Sequence, residues 1–360
     1  MLSVTTIVAL LGGLGGVLLG FVARRLRFCT LSAIESAAFG ADFTQARMWA
    51  LAIAVSILGT QGLHLTGVID LTDSFHISNE INWLGAIAGG LIFGLGMAAI
   101  GTCSFGSLLR LGGGDLRAFF DMLVIGVVGY MTMRGLTGIF REEVIEATAY
   151  VLPAGTLQDL PGLLSAVSGL SELGLRTALS VAISGGILFW CFRDPLFRAR
   201  PLAALGGLLV GLVIVAGWLI TGVVGNDPFE PQPLGSYTYI RPVGDGLVYL
   251  MTFSGSTITF GIGTVFGTLA GASLAAVTSG EANWEGFDDL REMRRHLFGA
   301  AAIGFGGVVA MGCTIGQGVT GVGTLALTSF LALASIWIGG IVGVRILVYG
   351  GFTPLFVDRS

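Results

Sequence analysis

Two stretches of this chain pair a single thiol with clustered glycines. Residues 304–318 read GFGGVVAMGCTIGQG, and residues 94–106 read GLGMAAIGTCSFG. Placing Cys103 over Cys313 also places Gly94 over Gly304, Gly96 over Gly306 and Gly106 over Gly316. In each, apolar residues climb to the cysteine, glycine weakens the helix there, and a second short segment begins beyond it. The glycines at the two breaks are Gly101, Gly106, Gly312 and Gly316.

A thiol is a weak donor and a polarizable partner, so it suits a soft sulfur atom better than a hydroxyl does. Weak contact also permits rapid transit through a series of sites. The half-helices after the breaks begin near Ser104 and Thr314, and a helix start offers N–H groups and partial positive charge to an anion. Gln317 follows in the second copy, and Arg110 lies about two turns beyond Cys103 in the first. A third thiol, Cys29, follows Arg27 and Phe28. The fourth, Cys191, sits between Trp190 and Phe192 and reads as packing. The plainer alternative for the glycines is close helix packing, which small residues allow in a membrane.

The elements that must position these groups are membrane helices. Hydrophobic residues make up 54% of the chain and charged residues only 11%. The mean hydropathy is +0.87. A soluble domain carries about 25% charged residues. Continuous apolar runs reach the ~20 residues that cross a bilayer, whereas a β-barrel would show short alternating ones. The chain therefore reads as an all-α polytopic membrane protein in contact with the lipid bilayer. About nine spans are predicted, over residues 5–23, 48–66, 83–101, 118–138, 175–192, 202–224, 256–279, 297–312 and 325–349. Residues 26–41 are too short to span and either lie on the surface or dip in and return. Residues 139–174 and 225–246 read as mixed or irregular loops, and residues 280–296 as a polar helix. The whole, residues 1–360, reads as one transmembrane domain: a first half over about 1–138, a connecting insertion over about 139–174, and a second half over about 175–360.

All 18 basic residues are arginine. They concentrate in the links after the odd-numbered spans, which the positive-inside rule places in the cytoplasm. The amino terminus is then outside and the carboxyl terminus inside. The two glycine-broken segments point in opposite directions, the arrangement of inverted-repeat transporters built on re-entrant half-helices. Nothing in the sequence suggests a cofactor. There is no CxxC pair or His cluster for a metal, no GxxxxGK[ST] loop for ATP, and no feature that calls for nucleic acid. His64, His76 and His296 are scattered and read as surface or interfacial residues. Asp121 and Glu35 are the only acidic candidates for proton coupling.

The chain resembles the YeeE/YedE family of membrane proteins, which take up thiosulfate and related sulfur compounds. Gly16, Gly20 and Phe21 followed by Arg27-Phe28-Cys29 resemble its amino-terminal motif. Gly94 and Gly96 through Gly101-Thr102-Cys103-Ser104, with Arg110 and Gly112, resemble its first core motif, and residues 304–316 resemble the second. The resemblance implies an hourglass of helices in the bacterial inner membrane. It implies a path on which Cys29, Cys103 and Cys313 hand the substrate inward. Arg27, Ser104, Arg110, Thr314 and Gln317 are read from their positions as secondary substrate contacts. A small cytosolic sulfur-carrier protein is the implied partner, and the activity is transport rather than catalysis. The longer 139–174 segment leaves sulfite or selenium compounds open as substrates. Two other readings stand beside this one: a membrane sulfurtransferase carrying a persulfide, which needs a thiolate and so nearby positive charge, and a channel for an unrelated solute such as formate.

Overall fold

The computed structural model describes residues 3–349; the expected carboxyl-terminal tail and its side of the membrane lie outside the described residues. The helices in order are α1 (Val4–Arg25), α2 (Thr30–Phe39), α3 (Thr44–Leu65), α4 (Gly90–Ile100), α5 (Ser104–Leu111), α6 (Leu116–Arg134), α7 (Leu136–Phe140), α8 (Leu160–Ser168), α9 (Glu172–Arg193), α10 (Pro195–Arg198), α11 (Pro201–Leu219), α12 (Arg241–Met251), α13 (Phe260–Ser279), α14 (Leu290–Val309) and α15 (Leu327–Tyr349). Turns of π-helix precede α4 and follow α11. Two short strands, β1 (Glu80–Ile81) and β2 (Tyr150–Val151), pair antiparallel with Glu80 opposite Val151. The protein is a multi-pass, all-α membrane protein.

Among the described residues, eight helical stretches are long and apolar enough to cross a membrane. The remaining expected span lies in α14, which begins seven residues earlier than its apolar part. Arg291, Glu292, Arg294 and Arg295 occupy its first turns, so the polar segment and the span form one helix.

Packing among these helices runs through glycine. Helix α1 lies along α13, α4 lies between α14 and α15, α3 between α9 and α11, and α6 against α14 and α12. On α1, Gly12, Gly16 and Gly20 repeat every four residues and form one stripe. A β-carbon at Gly16 would stand 2.7 Å from the Thr264 carbonyl oxygen on α13. Gly263, Gly267 and Gly271 on α13 return the contact against the α1 backbone. In lipid there is little hydrophobic drive between helices, so such close backbone approach supplies the attraction.

Residues 26–41 do dip inward. Thr30, Leu31, Ala33 and Ile34 of α2 are buried. The 225–246 stretch departs most from the sequence reading. It is irregular as expected up to Ile240, but it threads the interior, where Tyr237 and Tyr239 are fully buried. Helix α12 then starts at Arg241. The insertion is also ordered. The Leu160 amide donates to the Leu325 carbonyl (2.9 Å), and the Leu327 amide donates to the Gln158 carbonyl (3.0 Å). Arg176 reaches Asp159 at 2.5 Å and Glu172 at 2.7 Å, and its other terminal nitrogen donates to Gln61 at 3.2 Å.

Candidate functional site

Three cysteines stand in the same local turn. Two residues before each, the backbone is left-handed: Arg27 at φ 54°, Gly101 at φ 76° and Met311 at φ 60°. Cys29 and Cys103 then extend and cap the helices that follow, at φ/ψ −132/129° and −101/177°. The Gly106 amide donates to the Cys103 sulfur at 3.4 Å, and the Gly316 amide donates to the Cys313 sulfur at 3.3 Å. The residue after each cysteine carries a hydroxyl: Thr30, Ser104 and Thr314.

The left-handed residue corrects the expected role of one glycine. At the first break it is Gly101, a residue that adopts this conformation freely. At the second it is Met311 and not Gly312. Gly106 and Gly316 serve space instead. A β-carbon at Gly106 would overlap the Thr102 hydroxyl, and one at Gly316 would overlap the Thr238 hydroxyl.

The three turns converge. Cys29 and Cys313 both lie within electrostatic range of the Cys103 sulfur, and the Thr314 hydroxyl faces that sulfur without completing a hydrogen bond. Aromatic rings wall the site. Phe105 packs on Tyr239 with centroids 4.9 Å apart, and Phe28 stacks on Trp49 at 4.4 Å. The Tyr239 hydroxyl meets that of Thr268 at 2.7 Å, and Thr320 donates to the Tyr237 carbonyl at 2.8 Å.

Cavities open at the two ends of the α1–α13 pair. One, of about 180 Å³, is lined by Phe75, Thr238, Arg241, Asp245, Phe260 and Thr264. Thr238 belongs to this wall and also abuts Gly316, so the cavity floor lies at the Cys313 turn. The other, of about 350 Å³, is lined by Arg24, Arg110 and Arg117 with Asp115, Glu281 and Glu285. Arg24 donates to the Leu109 carbonyl at 2.6 Å, and Arg110 donates to the Gly101 and Ile100 carbonyls at 2.7 and 3.4 Å. Arg110 therefore ties the end of α4 to the far end of α5.

The other sequence candidates divide. Ser104 and Thr314 are buried beside the thiols. Gln317 is buried but engaged: it donates to the Ala310 carbonyl at 2.8 Å and accepts from the Ser329 hydroxyl at 2.5 Å, which braces the second turn. Arg27 is exposed. Cys191 is buried, with its thiol 3.4 Å from the Arg47 carbonyl, away from the other three. His76 and His296 are buried rather than interfacial. His296 pairs with Asp121 at 2.9 Å across α14 and α6. Sequence reasoning missed Tyr237, Thr238 and Tyr239. Their signal was the alternation Ser-Tyr-Thr-Tyr-Ile inside a proline-rich stretch, where an aromatic every second residue suits a buried extended segment.

The family model described as Sulphur transport matches residues 25–342. A thiosulfate transporter, TsuA, of Spirochaeta thermophila is 27% identical over 342 residues, covering 89% of this chain and 93% of the relative. The thiosulfate transporter TsuA of Escherichia coli is 24% identical over 335 residues, covering 90% of each.

Proposed function

The chain belongs to the sulphur-transport family, and from that premise we propose that it takes up thiosulfate, or a closely related sulfur anion, along a path lined by Cys29, Cys103 and Cys313. The observation that carries this reading is that three sequence-distant thiols in like turns share one packed core, Cys103 and Cys313 buried within it and Cys29 half-buried against it. The family and its named relatives are transporters and not enzymes.

Thiosulfate suits the site's chemistry. Its terminal sulfur is soft and accepts a weak hydrogen bond from a thiol. The Gly106 and Gly316 amides donate to two of those sulfurs. A sulfur that accepts a bond gives up its own proton more readily in a second bond, by the polarisation that strengthens hydrogen-bond chains. No single contact is strong, so the anion leaves each site as readily as it enters.

Its course begins in the Thr238–Arg241 cavity, passes Cys313, reaches Cys103 and Cys29, and leaves between Arg24 and Arg110. The arginine-rich cavity faces the cytoplasm under the positive-inside rule, with the amino terminus outside and the protein in the bacterial inner membrane. That cavity is then also where a cytosolic sulfur-carrier protein would collect the product. The two cysteine turns belong to two halves of one transmembrane domain related by an inverted repeat.

The test is uptake of radiolabelled thiosulfate by cells lacking their own uptake systems, at matched membrane expression. Wild type should import; Cys29→Ala, Cys103→Ala and Cys313→Ala should each lose at least about tenfold, the scale of one charge-assisted hydrogen bond. Cys191→Ala should import normally. Absence of import by wild type overturns the substrate, and sulfite and selenium compounds are tried next. Import that survives all three changes overturns the thiol path.

A further inference from the structure

Most buried hydroxyls among the described residues find a partner. Thr132, Ser180 and Thr221 each bond the carbonyl one turn below, and Thr320 crosses to Tyr237. Among the described residues, five buried side-chain hydroxyls have none: Thr30, Thr60, Ser104, Ser107 and Thr314. Four of these five sit at the cysteines. Thr30, Ser104 and Thr314 directly follow Cys29, Cys103 and Cys313, and Ser107 lies one turn past Ser104 on the same face. Each of the three that follow a cysteine is fully buried. A hydroxyl removed from water with no partner costs stability, so its recurrence at three separate turns needs an account.

Local geometry supplies part of one. A residue at the first position of a helix has no helical carbonyl one turn below it. That does not explain Ser107, which has the Cys103 carbonyl beneath it and leaves it to the Ser107 amide. Nor does it explain why the residue type is Ser or Thr each time, where Ala or Val would fill the space without a penalty.

We infer that each thiol and the hydroxyl after it form a two-point binding step, the thiol for the soft sulfur end of the anion and the hydroxyl for an S–O oxygen. The ligand class is a tetrahedral sulfur oxoanion with a terminal sulfur. The hydroxyls thereby set specificity: a thiol alone would accept any soft sulfur, and a hydroxyl alone any oxoanion. Thr314, which faces the Cys103 sulfur, places one hydroxyl between two successive thiols, so an anion leaving Cys313 meets its next sulfur contact before its oxygens are released. This inference rests on the thiol path proposed above.

The test compares Thr30→Val, Ser104→Ala and Thr314→Val with wild type in the uptake assay and in thermal unfolding of the purified protein. A hydroxyl with no protein partner loses nothing when replaced by a methyl, so each variant should melt at or above the wild-type temperature. Each should nonetheless raise the KM for thiosulfate about tenfold, as expected for one lost hydrogen bond to an anion, and Thr314→Ser should restore the wild-type KM. Wild-type KM in all three variants overturns the inference while leaving the thiol path intact, provided that the cysteine variants fail to import. A raised KM that Thr314→Ser does not restore also overturns it, because the effect is then one of shape. No import by wild type overturns both.

Discussion

The Cys103 and Cys313 turns share a local design and differ in what surrounds it. Both set a left-handed residue two places before the cysteine and turn an amide onto its sulfur. Beyond that they diverge. The Cys103 turn leads into α5, whose far end is Arg110, exposed at a cavity shared with Arg24 and Arg117. The Cys313 turn leads into a π-helical turn, Gly316–Gly321, in which every residue is buried. Gln317 ties it to Ala310 and Ser329, and the buried Asp159–Arg176 pair holds the 158–160 segment on the backbone at residues 325–327 just beyond. One break leads to an open cavity lined by three arginines and three carboxylates. The other is buried and braced from several sides. The same turn can sit in a braced interior or beside an open cavity, depending on what packs against it.

That contrast can be broken. Asp159→Ala leaves the buried Arg176 guanidinium only Glu172 and Gln61, and should cost about 3 kcal/mol, the low end for a broken buried pair. Arg110→Ala at the other break removes exposed bonds to two carbonyls and should cost under about 1 kcal/mol, the usual scale for a solvent-exposed charged contact. Thermal unfolding of the two purified variants measures the difference. Equal losses would mean that the second break is no more braced than the first.

The spacing glycines give the next largest effect. Gly316→Ala drives a methyl into Thr238, whose backbone is threaded through the core, and should cost about 2–3 kcal/mol with a matching fall in uptake. Gly106→Ala meets the Thr102 hydroxyl, a side chain of its own turn, and should cost about 1 kcal/mol. The reverse order, measured by the same unfolding assay, would make the Cys103 turn the more tightly packed of the two.

Backbone strain supplies the smallest and most symmetrical pair. Gly101→Ala imposes a left-handed alanine and should lose about 1–2 kcal/mol, whereas Met311→Gly relieves a left-handed methionine and should gain about 1 kcal/mol or less. A loss of stability on Met311→Gly would show that the half-exposed methionine side chain, and not its backbone, holds that turn.

The sequence by itself determined the class. Composition and run length require membrane helices, because uncovered backbone polar groups are too costly in hydrocarbon. It also singled out the thiols, since Cys103 and Cys313 lie in matching glycine frames and Cys191 does not. Helix packing was only partly legible. Glycine every fourth residue on α1 and α13 gives a close-approach stripe, but which stripe meets which is a property of the assembled bundle. Tertiary structure decided the rest. It brought Tyr237–Tyr239 from an unpromising proline-rich stretch into the wall of the site, and it buried His296 against Asp121. It placed the left-handed strain on Met311 beside an available glycine. It also left Thr30, Ser104 and Thr314 without partners, whereas Thr132, Ser180 and Thr221 on spanning helices find one. The physical reason is one of range. Hydrophobicity and helix breaking act within a few residues and can be read along a chain, whereas the satisfaction of a buried polar group depends on whatever distant segment the fold sets beside it.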